Sequence, residues 1–253
     1  MNTQKLFLQI LLLAALSFGC GKSRPRVVIT QADLETTNAP VNAAMRRFVA
    51  RPGSNVRIDG TANMIHTRWE VESSLIGGFV EVGPGFPTEP GQTVSPGKLP
   101  ARAETFVIVR SLKSMDEGKP YSDRMDDVMY EHLKATNGPK DRISFQLTEL
   151  MLKETAKSPT TPYVFEAKGQ LAVASVTNPI VMPVNLTPLG SNRLKFEGSF
   201  TTKMTDFKVT PPAPKPLPLV TGDEVKLSFQ WLVEERLVTN APPPSAPAPS
   251  SAN

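Results

Sequence analysis

The chain has one cysteine, Cys20, and two histidines, His66 and His132, among 253 residues. A lone cysteine rules out an internal disulfide and any thiolate cluster for zinc or iron. Neither histidine falls in a His-Glu-x-x-His or similar ligand spacing, so no histidine metal centre is expected. There is no Gly-x-Ser-x-Gly elbow, and a serine nucleophile therefore has no motif behind it. Gly21-Lys22-Ser23 ends like a phosphate-binding loop, yet Leu16 stands where that motif needs its first glycine. Long apolar runs are scarce as well. The one near the N-terminus, Leu6 to Leu16, is too short to cross a bilayer, which takes about 20 residues.

That short run reads instead as an export signal. Lys5 gives a positive start, Leu6 to Leu16 an apolar stretch, and Ser17-Phe18-Gly19-Cys20 a small-residue processing site. A thiol at this position is where a bacterial lipoprotein receives its lipid. Residues 1–20 are thus expected to be a lipoprotein signal peptide with Cys20 as the lipid anchor, on the periplasmic side of the cell envelope. An ordinary secretory signal beside a stray cysteine is the alternative. Residues 21–45 read as a polar tether. Through Arg51 there are seven Lys/Arg against two Asp/Glu, while the remainder holds 21 against 22. The net charge of +4 therefore describes a membrane-proximal segment and not a basic domain. Without a basic stripe interleaved with aromatics, nucleic acid is not expected as a partner.

From residue 46 the pattern changes to period two. In Tyr163 to Leu186, Tyr163, Phe165, Ala167, Gly169, Leu171 and Val173 share one face against Glu166, Lys168 and Gln170; Ile180, Met182, Val184 and Leu186 resume the pattern. Thr177-Asn178-Pro179 reads as the connecting turn. Thirteen straight residues would span roughly 43 Å, well beyond a usual strand, so Gly169 is expected to mark a bend or bulge. Further one-sided runs are Val56 to Ile58, Ile143 to Leu147, Leu194 to Phe207 and Val225 to Val233. Residues 83–100 are Pro/Gly-rich loop, and 239–253 form a low-complexity tail expected to be disordered. The body, 46–238, is thus mainly β and suits a curved barrel with an apolar inside.

One helix interrupts the strands. Ser122 or Asp123 caps it, Asn137-Gly138-Pro139 stops it, and Met125, Val128, Met129 and Leu133 recur on one face. Such a face suits either ordinary core packing or an adaptable lid over a cavity. Asp126, Asp127, Glu131 and His132 read better as a solvated helix face than as a cation site.

Several segments in order resemble the YceI-like family of polyisoprenoid-binding proteins. They are Phe48 to Ser54 with Gly60 to His66, Ser111 to Ser114, Met129 to Lys134, Ile143 to Phe145, Gly169 to Leu171 with Val176 to Ile180, Met204 to Phe207 with Pro211-Pro212, and Val220 to Val225. The resemblance implies an antiparallel, lipocalin-like β-barrel with one interposed amphipathic helix and a lumen for an isoprenoid such as a quinone or polyprenyl phosphate. Two departures, the long loop at 83–100 and Phe207-Lys208-Val209 where Phe-Gly-Ile is frequent, bear on the barrel mouth. The expected lining is Phe145, Leu147, Phe165, Leu171, Val173, Met182, Val184, Phe196, Phe200, Phe229 and Trp231, with His66 either meeting the ligand's polar head or holding a structural hydrogen bond. Small barrels also fill their interiors with such residues, and alternation leaves the two cases open. Burying a tail of about 30–40 carbons, at roughly 25 cal/mol per Å², would drive binding without chemistry. No cofactor and no catalysis are expected, only a bound isoprenoid lipid; a fold of this kind can also form a homodimer. A ligand-free envelope module is the alternative reading.

Overall fold

The computed structural model describes residues 28–34, 45–63, 68–135, 141–213 and 220–236. Its strands are β1 (Arg46–Ala50), β2 (Asn55–Ala62), β3 (Arg68–Ser73), β4 (Ile76–Val82), β5 (Gly97–Lys98), β6 (Ala101–Ile108), β7 (Lys113–Asp116), β8 (Lys119–Pro120), β9 (Arg142–Glu154), β10 (Tyr163–Val173), β11 (Val176–Gly190), β12 (Arg193–Lys203) and β13 (Thr221–Glu235). A helical turn, α1 (Gln31–Leu34), precedes them, and α2 (Asp123–His132) lies between β8 and β9. The sheet runs β1-β4-β6-β9-β10-β11-β12-β13, and β13 returns to β1 through Val49↔Glu234 and Ala50↔Val233. Eight strands therefore close an antiparallel barrel. At its other end β13 pairs with β2, and β3, β7 and β8 extend from β2 as a wing beside the ring.

The alternating residues of β10 face inward as their period requires: Tyr163, Phe165, Ala167, Gly169 and Leu171 are buried, while Lys168 is exposed. Of the bend or bulge expected at Gly169, the strand shows a register shift between Lys168 and Gly169. The turn into β11 differs from expectation. It is made by Ala174 and Ser175, whose φ values of 48° and 72° give the primed hairpin twist. Thr177-Asn178-Pro179 belongs to β11 itself. Proline is tolerated there because residues 176–183 pair with β10 alone and β12 joins only at Val184↔Gly198.

The two ends of the barrel differ. At the end bounded by the β11–β12 hairpin and residues 83–100, large side chains interlock. Phe48, Tyr163, Phe165, Leu186 and Leu194 are at most 1% exposed. Phe86 stacks on Phe165 with ring centroids 5.7 Å apart, and Phe196 meets Trp231 at 5.6 Å. The Tyr163 hydroxyl donates to the Gln92 carbonyl, tying the long loop down over this end. The opposite end, where β2, β10 and β12 finish and β3, β9 and β13 begin, is not filled.

Of the stretch read as a tether, Ile29 and Leu34 pack outside the barrel against Leu75, Phe106 and Ile108. Arg142 stacks over the Phe106 ring and donates to the Asp33 carbonyl at 3.1 Å. This short strap sits at the unfilled end. Residues 1–27, including the signal sequence and Cys20, and the tail from 237 lie outside the described residues, as does His66.

Candidate functional site

A cavity of about 570 Å³ occupies the unfilled end. Its walls are Ile58 of β2, Trp69 and Val71 of β3, Phe200 of β12, and Val225 and Leu227 of β13; Ile143, Leu171 and Val173 form the floor. The Trp69 indole donates to the Thr61 carbonyl at 3.1 Å, which turns its ring face to the space. α2 forms the roof with Met125, Val128, Met129 and Leu133. The stripe that sequence reads as either packing or lid therefore faces an open apolar volume.

What holds α2 there is its other face. Buried Asp126 accepts from the Ser114 backbone N–H at 2.6 Å and from Lys113 Nζ at 2.8 Å. One turn later, the Tyr130 hydroxyl donates to the Leu112 carbonyl at 2.7 Å. Both anchors, four residues apart on one helix face, grip the start of β7 and the residue just before it. Burial pushes the Tyr130 phenol up. Burial, the largest single influence, would lower the Lys113 ammonium, but the hydrogen bond to Asp126 together with the charges and hydrogen bonding of Tyr130 and Asp126 raises it. The roof is thus bolted along one side with its apolar side chains projecting into the cavity, a geometry suited to an adaptable cover. Ser122 precedes α2 in extended conformation without a capping side-chain bond.

The remaining wall lies where β11 and β12 diverge. A short turn, 205–207, folds back into that gap and places Phe207 and Val209 on the cavity. It is fastened by Asn178 Nδ2 donating to the Asp206 carbonyl at 2.7 Å, and by Thr205 donating from N and Oγ1 to Asp223 at 2.9 and 2.6 Å. Those Thr205 bonds hold the Asp223 carboxyl below its usual range. Lys208 closes the turn in the left-handed region at φ 55°.

Of the residues expected to line a lumen, Leu171, Val173 and Phe200 meet at this cavity. Phe165, Met182, Val184, Phe196 and Trp231 are buried in the packed core, and Phe145, Leu147 and Phe229 pack half-buried against it. Sequence reasoning passed over Ile58, Val71, Leu227 and the Phe207–Val209 pair. Val225 and Leu227 lie in a strand whose alternation is plain, so their inward direction was readable; that they border space was not. Among the described residues no group of three or more His, Cys, Asp or Glu side chains is placed to hold a metal ion. Among them, too, no helix is long and apolar enough to cross a membrane.

Residues 53–232 match the YceI-like domain. The chain belongs to the YceI-like family. Among solved structures, the YceI-like barrel is similar to a polyisoprenoid binding domain from Saccharophagus degradans implicated in plant cell wall breakdown. The two are 10% identical with a TM-score of 0.52, over 76% of this chain and 99% of that one. BcnA of Burkholderia cenocepacia is 16% identical, with a TM-score of 0.49 over 71% and 95% of the two chains. A Campylobacter jejuni YCEI protein is 12% identical, with a TM-score of 0.42 over 66% and 84%. No curated protein matches the chain.

Proposed function

We propose that this YceI-like protein is a lipid carrier of the bacterial envelope that holds one isoprenoid chain in the space beneath α2. The observation that carries the reading is the 570 Å³ cavity, walled by apolar side chains and roofed by a methionine-bearing helix. Its size falls within the roughly 300–1,000 Å³ of small-molecule sites. If a methylene takes about as much room as the ~30 Å³ share of a water molecule, the space corresponds to about 20 carbons. A longer tail would have to continue past the mouth or displace the roof. The binding free energy would come from removing apolar surface from water, at roughly 25 cal/mol per Å², less the ordering cost of a flexible chain. The polyisoprenoid binding described for the Saccharophagus degradans domain supports the same ligand class. In this reading the chain is exported, Cys20 carries the lipid anchor, and the protein acts by binding without catalysis.

A ligand-free envelope scaffold is the second reading, favoured by the interlocked end around Phe165, Phe196 and Trp231. Native mass spectrometry of the purified protein, with solvent extraction, separates the two. A prenyl species, co-purified or taken up from detergent, is expected. A clean ligand-free mass after incubation with geranylgeraniol and with envelope lipid extract would leave the scaffold.

A further inference from the structure

If the cavity holds a prenyl-like tail, the charges at its mouth select the head. α2 sorts its ionisable groups by face. Asp123, Asp127 and Glu131 are exposed away from the cavity, whereas Arg124 and His132 line it. Arg68, the first residue of β3, and Lys203, the last of β12, come to the same mouth from the barrel side.

Elsewhere on the barrel, arginines are matched by carboxylates: Arg46 with Glu235 at 2.7 Å, Arg51 with Glu234 at 2.7 Å, and Arg102 with Glu104 at 2.9 Å. At the mouth this matching stops. Arg68 and Arg124 have no carboxylate in ion-pair range among the described residues. Lys203 faces Glu224 across the β12–β13 pairing without an ion pair, and the nearby Asp223 carboxylate already accepts from Thr205. Of the two acids lining the cavity, Glu70 is held by Arg57 at 2.5 Å, which leaves Asp116. An apolar hollow is therefore rimmed by more cations than free carboxylates, with Arg68 and Arg124 in no ion pair among the described residues and Asp116 the one lining acid not held by an arginine.

We propose that the ligand is an anionic single-chain amphiphile, whose phosphate or carboxylate meets Arg68, Arg124 and Lys203 while its tail fills the hollow. Guanidinium forks match both anions in a bidentate way, and the rim stays hydrated until the anion arrives. A neutral prenol or quinone offers these groups no charge to bind. Prenyl phosphates and fatty acids share the required chemistry.

The test measures the affinity of the full chain for three C20 probes: geranylgeranyl phosphate, arachidic acid and the neutral geranylgeraniol. Binding is followed by calorimetry and by the fluorescence of Trp69. At least one anion should bind about tenfold more tightly than the alcohol, the size of one charge-assisted hydrogen bond. That gap should shrink as salt is added. Tight binding by phosphate alone identifies a prenyl phosphate; tight binding by both anions identifies any anionic head. Arg68→Gln, Arg124→Gln and Lys203→Gln should each narrow the gap. Arg193→Gln, at the hairpin of the packed end, should leave it as it is. Equal affinity for all three probes would overturn the anionic head and leave the isoprenoid carrier intact. Binding of none would overturn both.

Discussion

The ring of Phe145 on β9 lies over the α-carbon of Gly169 on β10. A side chain at Gly169 would overlap that ring and the carbonyl oxygen of Gln146. The same pairing recurs where Trp69 covers Gly60 and Phe229 covers Gly198. Glycine inside a strand costs backbone order, and here it makes room for an aromatic ring on the inner face.

Gly169→Ala is therefore expected to destabilise the protein by about 1–3 kcal/mol, the usual cost of overpacking, because backbone as well as ring must move. Urea denaturation read by circular dichroism measures the loss. An unchanged midpoint would mean that the ring shifts freely.

The Asp126 mount predicts an alkaline loosening of the roof. The Tyr130 phenol and Lys113 ammonium are both raised in the folded protein. Their contributions are fully present below the unfolded values of about 10 and 10.4, and are lost as pH rises through the folded ones. Hydrogen exchange in α2 should accelerate above that range before the barrel strands respond. Asp126→Asn should produce the same loosening at neutral pH, since a neutral amide replaces the carboxylate that holds Ser114 N–H and Lys113. Strands and helix exchanging together in both cases would show that α2 is not a separable element.

Filling and emptying the two ends should have opposite consequences. Leu227→Trp puts bulk into the cavity and should abolish lipid uptake while leaving the denaturation midpoint near that of the parent. Phe165→Ala empties a packed site and should cost about 3–5 kcal/mol while uptake persists at temperatures where the variant stays folded. Paired uptake and stability measurements decide this, and an exchange of phenotypes would place the ligand at the packed end.

On the outer face, Glu149 is bonded first by Lys168 and then by Lys98, which hold its carboxyl down at about 2. A lowered carboxyl stabilises the fold above its unfolded value, about 4.3, and that contribution disappears as pH falls toward 2. Carboxyl chemical shifts should give the low midpoint directly, and Lys168→Met should move it up. A midpoint unaffected by the variant would show that the ion pair does not form in solution.

How much of this was readable beforehand depends on what period two encodes. Alternation gave the inward faces of β10 and β13 and the bulge at Gly169, because side-chain direction is local. It could not say at which height of the barrel those faces touch. Phe165 and Leu171 share one face of one strand, but one is locked beneath Phe86 and the other borders open space. That difference is set by the wing of β3 and β7 and by α2, which hold the mouth apart. Thr177-Asn178-Pro179 misled for a related reason. A proline in a strand looks like a turn until the missing neighbour on one side is known.

The strap formed by Ile29 and Leu34 fixes a direction. Only eight positions separate Cys20 from Val28, a reach of about 28 Å when fully extended. If Cys20 is acylated, bilayer-embedded quenchers should dim Trp69 near the mouth more than Trp231 in the packed end, and equal dimming would deny the orientation. Such a moored barrel would hang face-down over its own supply, trading cargo with the leaflet it is tied to without ever diffusing away.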